Sequence, residues 1–315
     1  MAPNTETERP RLVILLGPTG VGKSRLAIEL AEQLGGEIIS ADSMQVYKHM
    51  DIGTDKPSPE AQERVQHHMI NLVFPDEPFH AGLYRALGRK AISDLQRSGK
   101  PIWVAGGTGL YIKALTQGIF ASPKTDPAIR QRLKQEGKEK GPDFLYGRLS
   151  EVDPKTASRL HPHDLFRIER ALEVFESTGV PISFYREQHG FGERSYLTLK
   201  IGLEMKRDDL YRCINDRVDR MVERGLLDEV RRLMELGYGP QLKPMQSLGY
   251  KQVVRFLAKE VDWTEAVRQI KRDTRHYARR QWTWFRADPE VRWRDVLQDR
   301  ERVFLETASF LKGGG

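Results

Sequence analysis

Short unbroken apolar runs alternate with helix-spaced apolar positions through the first third of the chain. Leu12, Val13, Ile14, Leu15 and Leu16 form one such run, the pattern of a strand buried on both faces. Leu26, Leu30 and Leu34 then recur at four-residue spacing, which predicts a helix with a single apolar stripe. "GEIISADS" (36–43) predicts a second strand, and "KPIWVAGGTGLY" (100–111) a strand running into a Gly-rich turn. This β–α–β rhythm predicts a parallel sheet with helices on its faces. In such sheets the reactive groups gather beyond the carboxyl ends of the strands, where Asp42 and Thr108 fall.

From 117 to 196 the pattern changes. "TDPAIRQRLKQE" offers Thr125 or Asp126 as an N-cap, with Pro127 in the first turn. Proline suits that position because its missing N–H would have no helical partner there. "EVDPKTASRL" and "HDLFRIERALEVFESTG" continue helical patterns, the second closing at Gly179 with Pro181 beyond. "YLTLKIGLEM" (196–205) predicts a strand that returns the chain to the sheet, after which helical patterns dominate. The expected division is a core of 1–116 and 197–315, interrupted by an all-helical insertion of 117–196.

Between the first strand and the first helix lies "GPTGVGKS" (17–24), which fits G-x-x-x-x-G-K-[ST] at Gly17, Gly22, Lys23 and Ser24. The glycines let backbone N–H groups approach an anion, with a helix N-terminus behind them. Lys23 would reach an outer phosphate and the Ser24 hydroxyl would ligate magnesium. The loop calls for a pyrophosphate-type ligand without saying which one.

Composition narrows the classes. Of 315 residues, 39% are apolar and 30% charged, as in a globular protein. No apolar run approaches the roughly 20 residues of a membrane span, and "MAPNTETERP" contains no apolar leader segment. No membrane association is expected. Cys213 is the one cysteine, which excludes an intrachain disulfide or a cysteine-based zinc site and fits a cytoplasmic protein. His67, His68, His161 and His163 lack supporting ligands at metal spacing and are read as surface or loop residues.

The net charge of +7 arises mainly in the last third, where 25 basic residues face 19 acidic ones over 197–315. "KRDTRHYARRQWTWFR" (271–286) interleaves basic residues with Tyr277, Trp282, Trp284 and Phe285. That is the footprint of an RNA-binding segment, or equally of a helix with a solvated basic face and aromatics in the core. Asp42, just past its strand, suits a metal ligand, a general base or a cap. Arg217, Arg220 and Arg224 share one helix face beside the apolar stripe of Leu210, Ile214, Val218 and Met221.

Together these stretches resemble the tRNA dimethylallyltransferase family, also called tRNA isopentenyltransferases. The resemblance is carried by "GPTGVGKS" (17–24), "ADSMQVYKHMDIGTDKP" (41–57), "GGTGLYIKAL" (106–115), "DPKTASRLHPHDLFRIERALEV" (153–174), "SLGYKQ" (247–252) and "TRHYARRQWTWFR" (274–286). It runs nearly the length of the chain, in the family's order. It implies an α/β fold, with a P-loop NTPase-like core of parallel sheet and flanking helices plus an all-helical insertion domain.

The implied reaction moves a dimethylallyl group from dimethylallyl diphosphate to N6 of the adenosine directly 3′ of the anticodon, in tRNAs reading codons that begin with U. The diphosphate is then the leaving group, and carbon is attacked. The resemblance assigns the diphosphate to Gly17, Pro18, Thr19, Gly20, Val21, Gly22, Lys23 and Ser24, with Mg2+ on Ser24, where many members carry threonine. It gives catalytic roles to Thr19, Lys23 and Arg217, and the role of base to Asp42, because the adenine amine is a poor nucleophile. It assigns contacts with the tRNA anticodon stem-loop to Asp42, Ser43, Met44, Gln45, Thr108, Arg130, Phe166, Arg167, Ile168, Glu169, Arg170, Gln246, Ser247, Leu248, Gly249, Tyr250 and Lys251. A monomer is expected. The rival readings are a kinase using ATP in the same loop and a non-enzymatic RNA-binding protein with a vestigial loop.

Overall fold

The computed structural model describes residues 9–120, 123, 125–190 and 192–313. The stretch read for a leader segment lies outside them up to residue 8. The chain divides into two compact units, one of Met1–Thr116 with Arg194–Gly315 and one of Gln117–Glu193.

The first unit begins with β1 (Arg11–Leu16), α1 (Lys23–Leu34), β2 (Glu37–Ser40), α2 (Pro59–Arg64), β3 (His67–His68), α3 (Ala81–Arg97), β4 (Ile102–Gly106) and α4 (Gly109–Gln117). The helical unit follows as α5 (Pro127–Lys140), α6 (Pro142–Val152), α7 (Pro154–Ala157), α8 (Leu165–Thr178) and α9 (Ile182–His189). The chain then re-enters the first unit with β5 (Leu197–Glu204), α10 (Arg207–Glu223), α11 (Leu226–Glu235), α12 (Tyr250–Leu257), α13 (Trp263–Arg286), β6 (Val291–Asp295) and α14 (Arg300–Leu311).

The six strands form one sheet in the order β3-β2-β4-β1-β5-β6, and every pairing is parallel. Strand β1 sits inside it, with Leu12, Val13, Ile14 and Leu15 fully buried. Because β2, β4 and β1 are neighbours, the loops leaving their carboxyl ends lie side by side. The backbones there approach so closely that a Cβ on Gly106 would overlap the Ala41 carbonyl oxygen. Thr108 N–H donates to that same oxygen at 3.0 Å.

The strands at the two edges depart from the sequence reading. "GEIISADS" is a strand only over Glu37–Ser40 and turns at once beyond it. His67 and His68, expected on the surface or in a loop, form β3 beside Ile38 and Ile39. His67 is buried, with Nδ1 2.7 Å from the Val65 carbonyl oxygen, and burial lowers its pKa. His68 Nε2 lies 2.6 Å from Glu37 Oε2. The helical run expected to the end of the chain is broken by β6, whose "VRWRD" is too charged and short to stand out. It is fixed by pairing with β5 and by Lys200, only 3% exposed, whose Nζ donates to Asp288 Oδ2 and Glu290 Oε2 at 2.7 Å each.

The helical unit is built as its pattern implies. Pro127, Pro142 and Pro154 open α5, α6 and α7. Asp126 caps the first helix, accepting from Ala128 N–H at 2.8 Å, and Asp153 accepts from Thr156 N–H at 2.9 Å. Leu133, Leu145, Leu149, Ile168, Leu172 and Val174 form a core of their own.

The Gly106 contact is a strict test of the sheet. Gly106→Ala forces backbone apart at the strand ends and should destabilise the protein by about 3 kcal/mol, the upper range for overpacking. Gly147→Ala in α6, where a Cβ meets nothing within 4 Å, should instead stabilise by up to about 1 kcal/mol. Denaturant melts of the two variants read both effects.

Candidate active site

The loop after β1 carries three glycines with positive φ, Gly17 at 141°, Gly20 at 84° and Gly22 at 94°. Gly22 is the N-cap of α1, so Lys23 and Ser24 open the helix. Ser24 is exposed. Lys23 is buried, and its Nζ donates to the Pro18 carbonyl oxygen at 2.7 Å. Arg217 reaches the same loop from α10, its Nη1 donating to Thr19 Oγ1 at 2.7 Å. The expected apolar stripe of Leu210, Ile214, Val218 and Met221 is buried, which turns Arg217 to the loop while Arg220 stays exposed.

Two cations thus share one loop. Burial, then the Arg217 charge, lowers the Lys23 pKa to about 7, with Asp42 acting in the opposite sense. Asp55 offers a partial counter-charge, its Oδ2 3.4 Å from Arg217 Nε and its Oδ1 3.7 Å from Arg224 Nη1. The turn carrying Asp55 is held from behind by Glu229. Glu229 Oε2 accepts from Asp51 and Ile52 N–H at 2.8 and 2.7 Å, and Oε1 from Gly53 N–H at 3.0 Å and from Tyr250 Oη at 2.7 Å. For a buried lysine that feels a second cation, a nearby negative charge favours the protonated form.

Asp42 leaves β2 half-buried. Its Oδ1 accepts from Met44 N–H at 2.8 Å and Gln45 N–H at 3.4 Å, an Asx-type turn that fixes the carboxylate. Thr108, beyond β4, accepts from Ser43 N–H at 3.0 Å through Oγ1. Around Asp42 stand three tyrosines, Tyr84, Tyr111 and Tyr277, each held protonated mainly by burial and further by the Asp42 charge. Tyr277 is pushed up to about 12.

Helix α13 covers this cluster. Thr274, Ala278, Gln281 and Phe285 form its buried face. Arg279 and Arg280 are exposed, while Arg275 donates to Asn215 Oδ1 at 2.7 Å and Lys271 to Asp219 Oδ2 at 2.7 Å. The two readings of 271–286 therefore meet in one helix, a packed inner face and a basic outer one. Gln281 accepts from Thr19 N–H and donates to the Gly107 carbonyl oxygen, each at 2.8 Å. Gln281 and Asp55 were missed as individual site residues, and Tyr277 was read only as one of the aromatics interleaved with basic residues; all three lie in motifs quoted above, but nothing in their spacing singles them out.

The IPP transferase family model matches residues 45–288. This chain belongs to the IPP transferase family. It is 51% identical over 306 residues to the tRNA dimethylallyltransferase of Desulfosudis oleivorans, covering 97% of this chain and 98% of that one. It is 55% identical over 299 residues to the tRNA dimethylallyltransferase of Syntrophobacter fumaroxidans, covering 94% and 87%. Among solved structures it resembles the full-length tRNA isopentenylpyrophosphate transferase of Bacillus halodurans, with a TM-score of 0.72, 36% identity and coverage of 97% and 98%. A eukaryotic dimethylallyltransferase acting on tRNA matches with a TM-score of 0.81, 28% identity and coverage of 97% and 80%.

In this IPP transferase the residues expected to meet RNA fall into distinct settings. Gln45 is buried. Its Oε1 accepts from Ser40 Oγ at 2.8 Å, and its Nε2 donates to the Thr54 and Asp55 carbonyls at 3.4 and 3.2 Å. Its amide therefore ties loops together and is not presented outward. Tyr250 is fully buried on Glu229, and Ile168 is fully buried in the helical core, so neither side chain is presented outward. Gln246 is exposed, its Nε2 donating to Pro240 O at 3.3 Å; Ser247, Leu248 and Gly249 lead into α12, and Lys251 Nζ lies 3.7 Å from Asp273 Oδ2. Within the helical unit Phe166 is 75% exposed. There Arg130 and Arg170 both donate to Glu173 Oε2, at 3.0 and 2.6 Å, while Arg167 pairs with Asp164 at 3.1 Å. Burial raises the pKa of Glu169.

Among the described residues no group of three or more His, Cys, Asp or Glu side chains could hold a metal ion. The exposed Ser24 hydroxyl is the donor available at the loop. One hydroxyl suits magnesium, which keeps water and phosphate oxygens as most of its ligands and needs no protein cage.

Between about pH 7 and 10.5 the unfolded chain carries the Lys23 proton and the folded chain does not. Raising the pH through that window therefore favours folding. The stability of the wild type relative to Lys23→Met should rise by roughly 1–3 kcal/mol from pH 7 to 9, read from denaturant melts without ligand. A flat difference would place Lys23 in an unstressed setting.

Proposed function

We propose that this chain transfers the dimethylallyl group from dimethylallyl diphosphate to N6 of the adenosine 3′-adjacent to the anticodon in tRNAs reading codons that begin with U. It is an enzyme and a transferase, in common with the tRNA dimethylallyltransferases it resembles. The observation that carries this reading is the meeting of Lys23, Thr19 and Arg217 at one loop, with Asp42 near enough to act on the Lys23 charge.

The donor's diphosphate lies along Gly17–Ser24, its charge met by Lys23, loop N–H groups and Arg217. N6 of the adenine attacks the allylic carbon as the carbon–oxygen bond breaks. The bonding pair leaves on the diphosphate, and the N6 proton passes to the Asp42 carboxylate. Asp42 Oδ1 is already held by two backbone N–H groups, so Oδ2 is the oxygen that takes the proton. The cations act on charge that grows as the bond breaks, which is where fixed charges lower a barrier. Ser24 would hold Mg2+ against the phosphates, and that ion when bound supplies further neutralisation of the leaving group.

RNA affinity belongs to other surfaces. The exposed Arg279 and Arg280 of α13 suit phosphates, and the exposed Phe166 of the helical unit suits base stacking. Among the described residues no helix is long and apolar enough to cross a membrane. The reading carries with it a monomeric enzyme acting in the cytoplasm on the tRNA anticodon stem-loop.

Incubation with magnesium, labelled dimethylallyl diphosphate and unmodified tRNA should add the dimethylallyl mass to the anticodon fragment. Phosphoryl transfer from γ-labelled ATP without prenylation would replace this reading with a kinase. Lys23→Ala and Arg217→Ala should each lower turnover by roughly 10²–10³-fold, and Asp42→Asn by about 10²–10⁴-fold with tRNA affinity nearly kept. Since Asn can still cap Met44 and Gln45, an Asp42→Asn enzyme above a tenth of wild-type single-turnover rate would mean that Asp42 only caps. Arg279→Ala with Arg280→Ala should weaken tRNA binding and reduce the salt slope by about 2, near one per phosphate contact.

A further inference from the structure

We propose that Gln281 is a positioning residue, which aligns the diphosphate loop with the acceptor-side loop by bridging Thr19 and Gly107. The proposal rests on the transferase reading above and adds a residue to its machinery. Gln281 is 7% exposed, and both ends of its amide are engaged. Oε1 accepts from Thr19 N–H and Nε2 donates to Gly107 O, at 2.8 Å each. A neutral amide is the side chain that can accept from one backbone and donate to the other at once. Leucine or methionine could fill the volume but would leave a buried N–H and a buried carbonyl without partners.

The bridge acts on catalysis through Thr19. Fixing the Thr19 backbone fixes Oγ1, and Oγ1 holds Arg217 Nη1 at 2.7 Å. The other end holds Gly107, whose neighbour Thr108 accepts from Ser43 N–H beside Asp42. One side chain on the helix with the basic outer face therefore sets the distance between the group that neutralises the leaving diphosphate and the group that takes the proton. Gly107 is fitted to this role, because a Cβ there would overlap Gln281 Nε2. Tyr277, one turn earlier, interacts with both Thr108 and Gln281, so the same helix grips the acceptor loop twice.

The test is steady-state kinetics on the full chain with tRNA and dimethylallyl diphosphate, wild type first. A wild type that transfers nothing would remove the transferase reading itself, which separates that failure from a failure of this proposal. Gln281→Met should lower kcat by about 10–100-fold, the range for a partner that orients a reacting group, with the KM for dimethylallyl diphosphate changed less than about threefold. Gly107→Ala, with Gln281 intact, should reproduce the kcat loss by pushing the amide away. On an Arg217→Ala background, Gln281→Met should cost less than about a further threefold, because both changes remove one arrangement. In Gln281→Glu the ratio of kcat to wild type should climb as pH falls from 8 to 6, since a protonated carboxyl restores the donor. A Gln281→Met kcat within threefold of wild type, or a full multiplicative loss on the Arg217→Ala background, would overturn the proposal.

Discussion

Two basic side chains held at one loop govern this structure. Lys23 and Arg217 lie far apart in sequence, yet burial first, and then the Arg217 charge, bring the Lys23 pKa to about 7. Such an arrangement opposes folding in the absence of an anion. It is tolerated because the surroundings restrain both groups. The Pro18 carbonyl receives the lysine, Thr19 receives the arginine, and Asp55 shares its charge between Arg217 and Arg224. An anion at the loop would offset both the burial of Lys23 and its repulsion by Arg217.

The sheet makes this possible by order more than by size. With β4 between β1 and β2, the phosphate loop, the Asp42 turn and the Gly107–Thr108 turn emerge side by side. Close approach of Gly106 to Ala41 leaves no slack between two of them. Helix α13 closes the third side, using a polar residue in its buried face where an apolar one would pack as well. Gln281 is satisfied at both ends, so its hydrogen bonds offset the desolvation of a polar group in that face.

Function is divided in the same way. Lys23 at the start of α1 and Arg217 within α10 are held on regular elements of the first unit, where positions are reproducible. Arg279 and Arg280 on α13 and Phe166 on α8 are exposed, which is why the proposed function places RNA contacts there. Several residues within the RNA-associated motifs serve the fold itself. Gln45, Tyr250 and Ile168 anchor loops or core.

The sequence by itself determined the parts that depend on local pattern. The apolar run before Gly17, the helical spacing after it, the proline-opened helices of the second unit and the loop motif all act through neighbouring residues. Hence they were legible without coordinates. The sequence also carried the family, through motifs spread along nearly the whole chain. The tertiary structure alone decided what depends on distant partners. Strands β3 and β6 exist because β2 and β5 offer them backbone groups, since "HH" has no apolar residue and the alternation of Val291 and Trp293 in "VRWRD" is too short and too charged to stand out. The resemblance already pointed to Arg217, and the fold supplies the reason: the buried stripe of α10 fixes the helix's rotation so that Arg217 meets the loop and Arg220 does not. Gln281 joins the site because α13 packs across Thr19 and Gly107, a contact between residues 262 positions apart in the chain that no local spacing encodes.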